Sequence, residues 1–213
     1  ENVDTVDFIQ NYLKKELNIK EEDIDKIEPL GGMTNHNFKI ELNGEKYVFR
    51  LPGEGCSCFV NRENEKYNIQ LIQDLKIDAE IMHFNEFSGI KIAKYIDRAE
   101  TLNPITALKH KNKVVSVLRK LHSSNLVFRN QFDVFKEIIK YESEIEKLTS
   151  RKYPNYEVVR KKVFDLKVIL EKIGINLVSC HNDTVPENFI ISEGQIHLID
   201  WEYSGMNEIE WDI

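Results

Sequence analysis

An Asn-Gly turn between two β-rich segments constrains the fold of this chain more than any other feature. The segments Asn37–Leu42 and Lys46–Leu51 are joined by Asn43-Gly44. Both residues of that dipeptide tolerate the positive φ angles that a two-residue β-hairpin requires. A bundle made only of helices has no place for such a hairpin. The pattern therefore predicts an antiparallel sheet in the N-terminal part of the chain.

The segments around the hairpin carry helix and strand patterns. Residues 5–17 place apolar side chains three and four apart, which is typical of an amphipathic helix. The stretch from Asn61 to Leu75 predicts a second helix, with Ile72 and Leu75 facing inward. Gly89–Ile96 alternates like a strand. We therefore expect two strands, a helix and a further strand to form a sheet-based lobe.

The second half of the chain is mainly helical in pattern. Three segments with apolar residues three and four apart predict helices, and two short apolar runs follow them. The helices are Pro104–Ser123, Asp133–Thr149 and Tyr156–Lys172, and the runs are Asn176–Cys180 and Gln195–Ile199. We expect an α+β fold of two lobes, an antiparallel sheet lobe over residues 1–97 and a mainly helical lobe over residues 98–213.

Composition narrows the classes of partner. The 213 residues suffice for one large domain or for two lobes. The formal net charge of −7, from 29 basic and 36 acidic residues, disfavours a nucleic-acid surface and suits a neutral or cationic partner. We find no apolar run of about 18 residues and no secretory leader, so no membrane partner is expected.

The cysteines favour a reduced, cytoplasmic setting. Cys56, Cys58 and Cys180 are odd in number and form no CxxC pair. Neither a disulfide framework nor a four-ligand zinc site is therefore predicted. The first residue is Glu1 rather than Met, so we expect the sequence to lack its natural start.

One polar stretch and the end of a later apolar run contain the residues that phosphoryl transfer needs. The stretch His181–Asn188 contains Asp183, and Asp200 follows the apolar run. The reaction needs a carboxylate that receives the acceptor proton and oxygen ligands that hold Mg²⁺ on the phosphates. An isolated Asp in a loop is usually a turn residue, but the combination with Asn188 and Asp200 matches this chemistry. For His181 we favour a buried, hydrogen-bonded histidine that orients the loop.

These two segments resemble a known family. HNDTVPENFII and LIDWEY are similar to the catalytic loop and the metal-binding segment of choline and ethanolamine kinases. Aminoglycoside phosphotransferases and, more distantly, protein kinases share the pattern. The resemblance implies a bilobal protein-kinase-like fold, ATP and Mg²⁺ as cofactors, Asp183 as the catalytic base, and Asn188 and Asp200 as the Mg²⁺ ligands. Trp201 stands where many members carry Phe.

Further matches in the N-terminal half imply a nucleotide site. PLGGMTNHNF resembles the phosphate loop, where glycines let backbone amides approach phosphate oxygens. YVFRLP resembles the strand with the phosphate-contacting base, so an arginine stands where protein kinases have Lys. KYI resembles the hinge that meets adenine. The nucleotide residues implied are Gly31, Gly32, Thr34, Asn35, Arg50, Glu65, Lys94, Tyr95 and Ile96.

A helix glutamate is expected to orient Arg50. The segment RENE offers Glu63 and Glu65. The spacing to Ile72 and Leu75 favours Glu65, so Glu63 is expected to be solvated. LRKLHS resembles an architectural helix of the family rather than a catalytic one.

The acceptor is predicted from a narrower match. GGMTN, RLPG and IDWEY together resemble bacterial choline kinases, so choline is the expected acceptor, with ethanolamine or an aminoglycoside as alternatives. Aromatic faces and carboxylates attract a quaternary ammonium, so Asp183, Glu202 and Tyr203 are the candidate acceptor residues. Trp211 is a further candidate, whose alternative is packing.

Two expectations concern the limits of this match. A kinase-like protein that binds nucleotide without catalysis is the alternative from another class. Relatives continue with helices beyond the second metal-binding segment, so we expect the sequence to lack the C-terminal part, including residues of the acceptor pocket.

Overall fold

The N-terminal part is a five-stranded antiparallel sheet with two helices. The computed structural model describes residues 2–32, 35–53, 55, 59–173 and 176–213. The sheet order is β1-β2-β3-β5-β4. The elements are α1 (Asn2–Leu17), β1 (Ile24–Gly31), β2 (Asn35–Leu42), β3 (Glu45–Pro52), α2 (Arg62–Ile72), β4 (Ile81–Phe84) and β5 (Lys91–Lys94).

The predicted hairpin is confirmed. Leu42 pairs with Glu45, which leaves Asn43 and Gly44 as a two-residue loop. Both loop residues have positive φ angles, 50° and 77°, as the favoured hairpin turn requires. β3, the second strand of this hairpin, contains Arg50 and is the middle strand of the sheet.

Two strands of this sheet were not expected. No strand was predicted for the residues of β1 or β4, yet β1 pairs with β2, and β4 pairs with β5. Both lie at the edges of the sheet. β1 contains Pro29 and several exposed side chains, so it lacks the alternation that identifies a half-buried strand. The N-terminal sheet, which lies within the predicted sheet lobe, or small lobe, therefore has five strands rather than three.

The predicted helix α1 covers one face of this sheet. Ile9 and Leu13 are fully buried against Phe38, Ile40 and Phe49. Burial of such side chains stabilises by about 1.5–3 kcal/mol each. The strand that carries Arg50 thus rests on a packed core.

The C-terminal part combines helices with two small sheets. Its elements are β6 (Glu100–Thr101), α3 (Pro104–Lys109), α4 (Lys111–His122), α5 (Val134–Leu148), α6 (Tyr156–Ile173), β7 (Leu177–Cys180), β8 (Phe189–Ser192), β9 (Gln195–Leu198) and β10 (Gly205–Glu208). The sheets are β6-β8-β9 and β10-β7. Among the residues described above, none of the helices combines the length and the apolar character needed to span a bilayer.

The prediction of one helix over Pro104–Ser123 is wrong, because the helix is interrupted at His110. This residue has φ −106° and ψ 17°, so it ends α3 and precedes α4. The predicted helices over 133–149 and 156–172 are confirmed to within one residue at each end. Asp133 caps α5 by accepting the N–H groups of Phe135 and Lys136.

One apolar core joins α2 to the C-terminal segments. Ile69 and Ile72 of α2 pack in the same cluster as Leu121, Phe189 and Trp201. The segments before and after the polar loop are therefore fixed by buried side chains. The lobe boundary near residue 97 stays a prediction.

Candidate active site

The predicted base and one predicted metal ligand contact each other in the loop between β7 and β8. The 3₁₀ turn Pro186–Asn188 ends this loop and brings Asn188 back to Asp183. Asn188 Nδ2 donates to the Asp183 carbonyl oxygen at 2.8 Å and to Asp183 Oδ2 at 3.0 Å. Because the amide nitrogen is held in this way, Oδ1 is the Asn188 atom left to bind a metal ion.

His181 holds the loop from the interior. It is fully buried, its Nδ1 accepts the backbone N–H of Asp183 at 3.2 Å, and its Nε2 bonds to the Ile199 carbonyl oxygen at 2.9 Å. Burial lowers the pKa of His181, so the ring is neutral at pH 7 and Nε2 carries the donated proton. His181 therefore connects the candidate base to the residue before Asp200, as expected of a loop-orienting histidine.

Asp200 presents an unpaired carboxylate oxygen. It follows β9 in a left-handed conformation with φ 67°, which Asp adopts more readily than most residues. Its Oδ1 is buried and has no hydrogen-bond partner among the described residues. Burial, and then the negative charge of Glu202, raise the pKa of Asp200 to about 6. Such a carboxylate suits a cation, and Asn188 and Asp200 together offer the oxygen donors that Mg²⁺ prefers.

The predicted pairing of Arg50 with Glu65 of α2 is confirmed. The Arg50 guanidinium contacts both carboxylate oxygens, with 3.1 Å between Nη2 and Oε2, and both side chains are buried. Nη2 also donates to the Gly89 carbonyl oxygen at 3.0 Å. Glu63 is exposed and pairs with Arg129 at 3.2 Å. The role of the Arg50–Glu65 pair towards a nucleotide stays a prediction.

Glu202 lies in the same buried cluster instead of facing an acceptor. Its Oε1 accepts Asn35 Nδ2 at 2.5 Å and Arg62 Nη1 at 2.9 Å, and it lies 3.4 Å from Arg50 Nη1. A carboxylate paired with two guanidinium groups is not available as an unpaired counter-ion for a quaternary ammonium. The placement corrects the expectation for Glu202. Asn35 donates one of its two amide N–H groups to Glu202, and its role towards a phosphate stays a prediction.

Arg62 is a member of this cluster that the sequence pattern did not indicate. It is the first residue of α2, and its Nη1 donates to Glu65 Oε2 at 2.6 Å as well as to Glu202. An arginine in a first helical turn beside two glutamates normally indicates a solvated helix start. The only further signal was its position three residues before Glu65, which allows a contact along the helix.

The two glycines lie at the end of β1, where Gly31 is the last residue of the strand and Gly32 follows it. Gly31 and Gly32 have positive φ angles of 86° and 148°. A Cβ on Gly32 would lie 1.9 Å from the Asn35 carbonyl oxygen, so only glycine fits there. Asn37 Nδ2 donates to the Gly31 carbonyl oxygen at 3.1 Å. Thr34 lies outside the described residues, and phosphate binding by this segment stays a prediction.

The predicted hinge already uses two of its N–H groups within the small lobe. The N–H of Lys94 donates to the Glu80 carbonyl oxygen at 2.8 Å, and that of Tyr95 to the Lys46 carbonyl oxygen at 3.0 Å. The Lys94 ammonium pairs with the Glu80 carboxylate at 2.9 Å. Adenine binding by this segment would therefore use Ile96 or the carbonyl groups, and it stays a prediction.

Comparison with known proteins identifies the family. A family model described as choline/ethanolamine kinase matches residues 24–213. The chain belongs to the choline/ethanolamine kinase family. The match includes the two glycines, Arg50, the Asp183 loop and Asp200, so it confirms the resemblance noted in the sequence.

Similar members of the choline/ethanolamine kinase family include proteins called LicA. Protein LicA of Haemophilus influenzae is 33% identical over 188 residues, which cover 86% of this chain and 55% of that protein. A crystal structure of choline kinase LicA from Streptococcus pneumoniae has 39% identity and a TM-score of 0.87, covering 98% of this chain and 72% of that chain. A crystal structure of LicA in complex with AMP has 38% identity and a TM-score of 0.84, covering 97% and 71%. The likeness confirms the predicted fold class.

Tyr203 of this family member is part of an aromatic group beside the loop. Its carbonyl oxygen accepts Asn182 Nδ2 at 2.9 Å. Burial, and then the charge and hydroxyl of Tyr141 on α5, raise the pKa of Tyr203. The Tyr141 ring stacks on Phe59 with 4.6 Å between centroids and 12° between planes. Phe59 and Tyr141 were missed from the sequence because only the fold brings them together.

Asp212 anchors the start of the loop, and no sequence pattern assigned it a role. It is buried, and its carboxylate accepts the backbone N–H of His181 at 2.9 Å and that of Asn182 at 2.7 Å. His122 Nε2 lies 2.8 Å from the same carboxylate. Burial would raise the pKa of Asp212, but these hydrogen bonds hold it below its usual range. The backbone before the candidate base is therefore fixed by an ionised carboxylate.

We expect Asp212→Asn to lower the free energy of unfolding by about 1–3 kcal/mol, because one amide oxygen cannot accept from both N–H groups and His122. Urea unfolding at pH 7 measures the change. Asp25→Asn is the matched control, since exposed Asp25 accepts one backbone N–H, from Gly44 at 2.8 Å. Equal losses in both variants would contradict the anchoring role of Asp212.

Proposed function

We propose that the protein transfers the γ-phosphoryl group of ATP to the hydroxyl of choline. The observation that carries the proposal is the direct contact between Asp183 and Asn188. The backbone carbonyl oxygen of Asn188 also accepts the N–H of Ile199 at 2.9 Å, and the next residue, Asp200, has an unpaired buried oxygen. A proton acceptor next to two oxygen ligands is the arrangement that phosphoryl transfer to an alcohol requires.

The chain's own residues divide the work as follows. Asp183 accepts the hydroxyl proton while the acceptor oxygen bonds to the γ-phosphorus and the bond to the β–γ bridging oxygen breaks, releasing ADP. Asn188 and Asp200 would hold Mg²⁺, which neutralises charge on the phosphates when bound. Asn188 also fixes Asp183 through its amide nitrogen. Base and metal site are thus connected through one side chain.

The small lobe supplies the proposed nucleotide site. Arg50 is held by Glu65 so that its guanidinium serves phosphate oxygens, and Gly31 and Gly32 let backbone come close to them. The similarity to LicA crystallised in complex with AMP supports nucleotide binding by this chain.

Choline as the acceptor is supported by the relatives and by the aromatic group. The Streptococcus pneumoniae relative is called a choline kinase. Tyr203 lies close enough to Asp183 to feel its charge, and it contacts Tyr141, whose ring stacks on Phe59. A quaternary ammonium over an aromatic face gains about 0.5–2 kcal/mol per ring. Tyr203 therefore keeps its proposed acceptor role, while Glu202 does not.

Ethanolamine is the second candidate, because the family description includes ethanolamine kinases. Its primary ammonium is better hydrated than a trimethylammonium group, so it gains less from aromatic faces. The non-catalytic alternative is disfavoured, because Asp183, Asn188 and Asp200 are all present and lie in one loop system.

A substrate panel tests the proposal. The full-length protein is incubated with ATP, Mg²⁺ and choline, ethanolamine or an aminoglycoside, and ADP release is followed. We expect kcat/KM for choline to exceed that for ethanolamine by about tenfold, as one or two aromatic contacts would provide. A preference for the aminoglycoside, or ADP release that does not depend on any acceptor, would contradict the proposed substrate.

A further inference from the structure

We propose that Arg62 is a positioning residue of the nucleotide site. It balances the charge of Glu65 and Glu202, so that Arg50 stays available for phosphate and the Asp200 segment stays docked on the small lobe. The inference rests on the proposed nucleotide site but not on the identity of the acceptor.

The geometry places Arg62 between two functional carboxylates. Its Nη1 lies 2.6 Å from Glu65 Oε2 and 2.9 Å from Glu202 Oε1. Glu65 is the partner of Arg50, and Glu202 follows Asp200 by two residues. One nitrogen of Arg62 thus links the residue that orients the proposed phosphate ligand to the segment of the proposed metal ligand.

Arg62 supplies one of the two guanidinium groups that contact the buried carboxylates of Glu65 and Glu202. Arg50 and Arg62 are buried with Glu65 and Glu202, two cations with two anions. Burial would raise the pKa of Glu65, but the nearby positive charges hold it below its usual range. Without Arg62, Arg50 would be the one guanidinium of the described residues in contact with both carboxylates. The buried cluster, which also holds Lys91, Asp78 and Asp200, would become one unit more negative. Uncompensated buried charge is strongly unfavourable and would also repel a triphosphate.

Gly89 makes room for this arrangement. A Cβ at Gly89 would lie 2.8 Å from Arg62 Nε and 2.7 Å from Pro52 Cγ. Its carbonyl oxygen meanwhile accepts Arg50 Nη2 at 3.0 Å. A single glycine with φ 73° therefore allows Arg62 to pass close to the backbone while it also holds Arg50.

A second ion pair between α2 and the C-terminal part provides a matched comparison. Arg129 pairs with Glu63 at 3.2 Å, but both side chains are about half exposed. Exposed pairs contribute little and are screened by solvent. Arg129→Met therefore removes an arginine that touches the same helix without touching Glu65 or Glu202.

The experiment measures two quantities in the full-length protein. One is the Kd of the complex between Mg²⁺ and AMPPNP, a non-hydrolysable ATP analogue, and the other is the KM for choline. We expect Arg62→Met to raise the AMPPNP Kd by about tenfold or more and to change the choline KM by less than about threefold. Arg62→Lys keeps the charge and recovers part of the loss. Arg62→Met/Glu202→Gln removes the unpaired carboxylate and recovers about threefold or more. Arg129→Met leaves the Kd unchanged.

Several results would overturn the inference. They are an unchanged Kd in Arg62→Met, losses of similar size for nucleotide and choline, or a double variant that binds no better than Arg62→Met. If Arg62→Met does not fold, the comparison is made with Arg62→Lys and the double variant. Both are then expected to bind AMPPNP within about threefold of wild type, and far weaker binding would overturn the inference.

Failure of the proposed function gives a different signature. If the wild-type protein binds Mg²⁺–AMPPNP but phosphorylates no amino alcohol, the proposed acceptor is contradicted. The role of Arg62 is then still decided by comparing the AMPPNP Kd of the variants. A wild-type protein that binds no nucleotide would overturn both.

Discussion

Asp183→Asn is expected to lower kcat with choline by about 10²–10⁴-fold, the contribution of a positioned general base. An amide at this position still accepts from Asn188 Nδ2, which lies 3.0 Å from Asp183 Oδ2, but it cannot take the hydroxyl proton. The loop geometry is therefore retained while the chemistry is lost. Steady-state ADP release measures kcat, and an AMPPNP titration measures nucleotide affinity.

The nucleotide affinity of Asp183→Asn is expected to stay within about threefold of wild type, because the base acts on the acceptor. Glu187→Gln is the matched control, since it neutralises an exposed carboxylate of the same loop. Wild-type kcat in Asp183→Asn would refute the assignment of the base. A parallel fall in Glu187→Gln would instead indicate a general electrostatic effect of the loop.

The central hairpin could be predicted because its turn residues specify the turn themselves. β1 and β4 have no such local signal, so they were not predicted. Asn43 and Gly44 specify a turn by their own backbone preferences. β1 and β4 are edge strands with one paired side each, and the pairing partner supplies most of their stability. Pro29 in β1 even argues against a strand unless its edge position is known. Such strands are determined by the sheet rather than by their own sequence.

The candidate site divides in the same way. Asp183, Asn188 and Asp200 lie in two short segments with recognisable spacing, so their grouping could be predicted. The contact between Arg62 and Glu202 joins residues 140 positions apart. Spacing along the chain carries no information on such a pair, because only the packing of α2 against the C-terminal core brings the two residues together.

Asp200→Ala is expected to reduce kcat/KM for ATP by about 10³-fold or more at every practical Mg²⁺ concentration, because one of two proposed metal ligands is lost. The measurement is ADP release across a Mg²⁺ titration. In wild type, Mg²⁺ is expected to tighten AMPPNP binding, and in the variant this dependence should disappear. Recovery of wild-type activity at high Mg²⁺ would contradict the ligand role.

The backbone of Asp200 requires a second variant. Its φ of 67° is costly for alanine, by about 1–2 kcal/mol, but not for glycine. Asp200→Gly removes the carboxylate without that strain, so it should be as inactive as Asp200→Ala and more stable.

Without Mg²⁺, Asp200→Gly should also resist urea at least as well as wild type. Burial and the charge of Glu202 make the Asp200 carboxylate unfavourable when no cation balances it, with a pKa raised to about 6. A variant that loses activity while keeping its stability would place Asp200 among residues held for function at a cost to folding. An active Asp200→Gly would mean that the backbone, and not the carboxylate, explains the defect of Asp200→Ala.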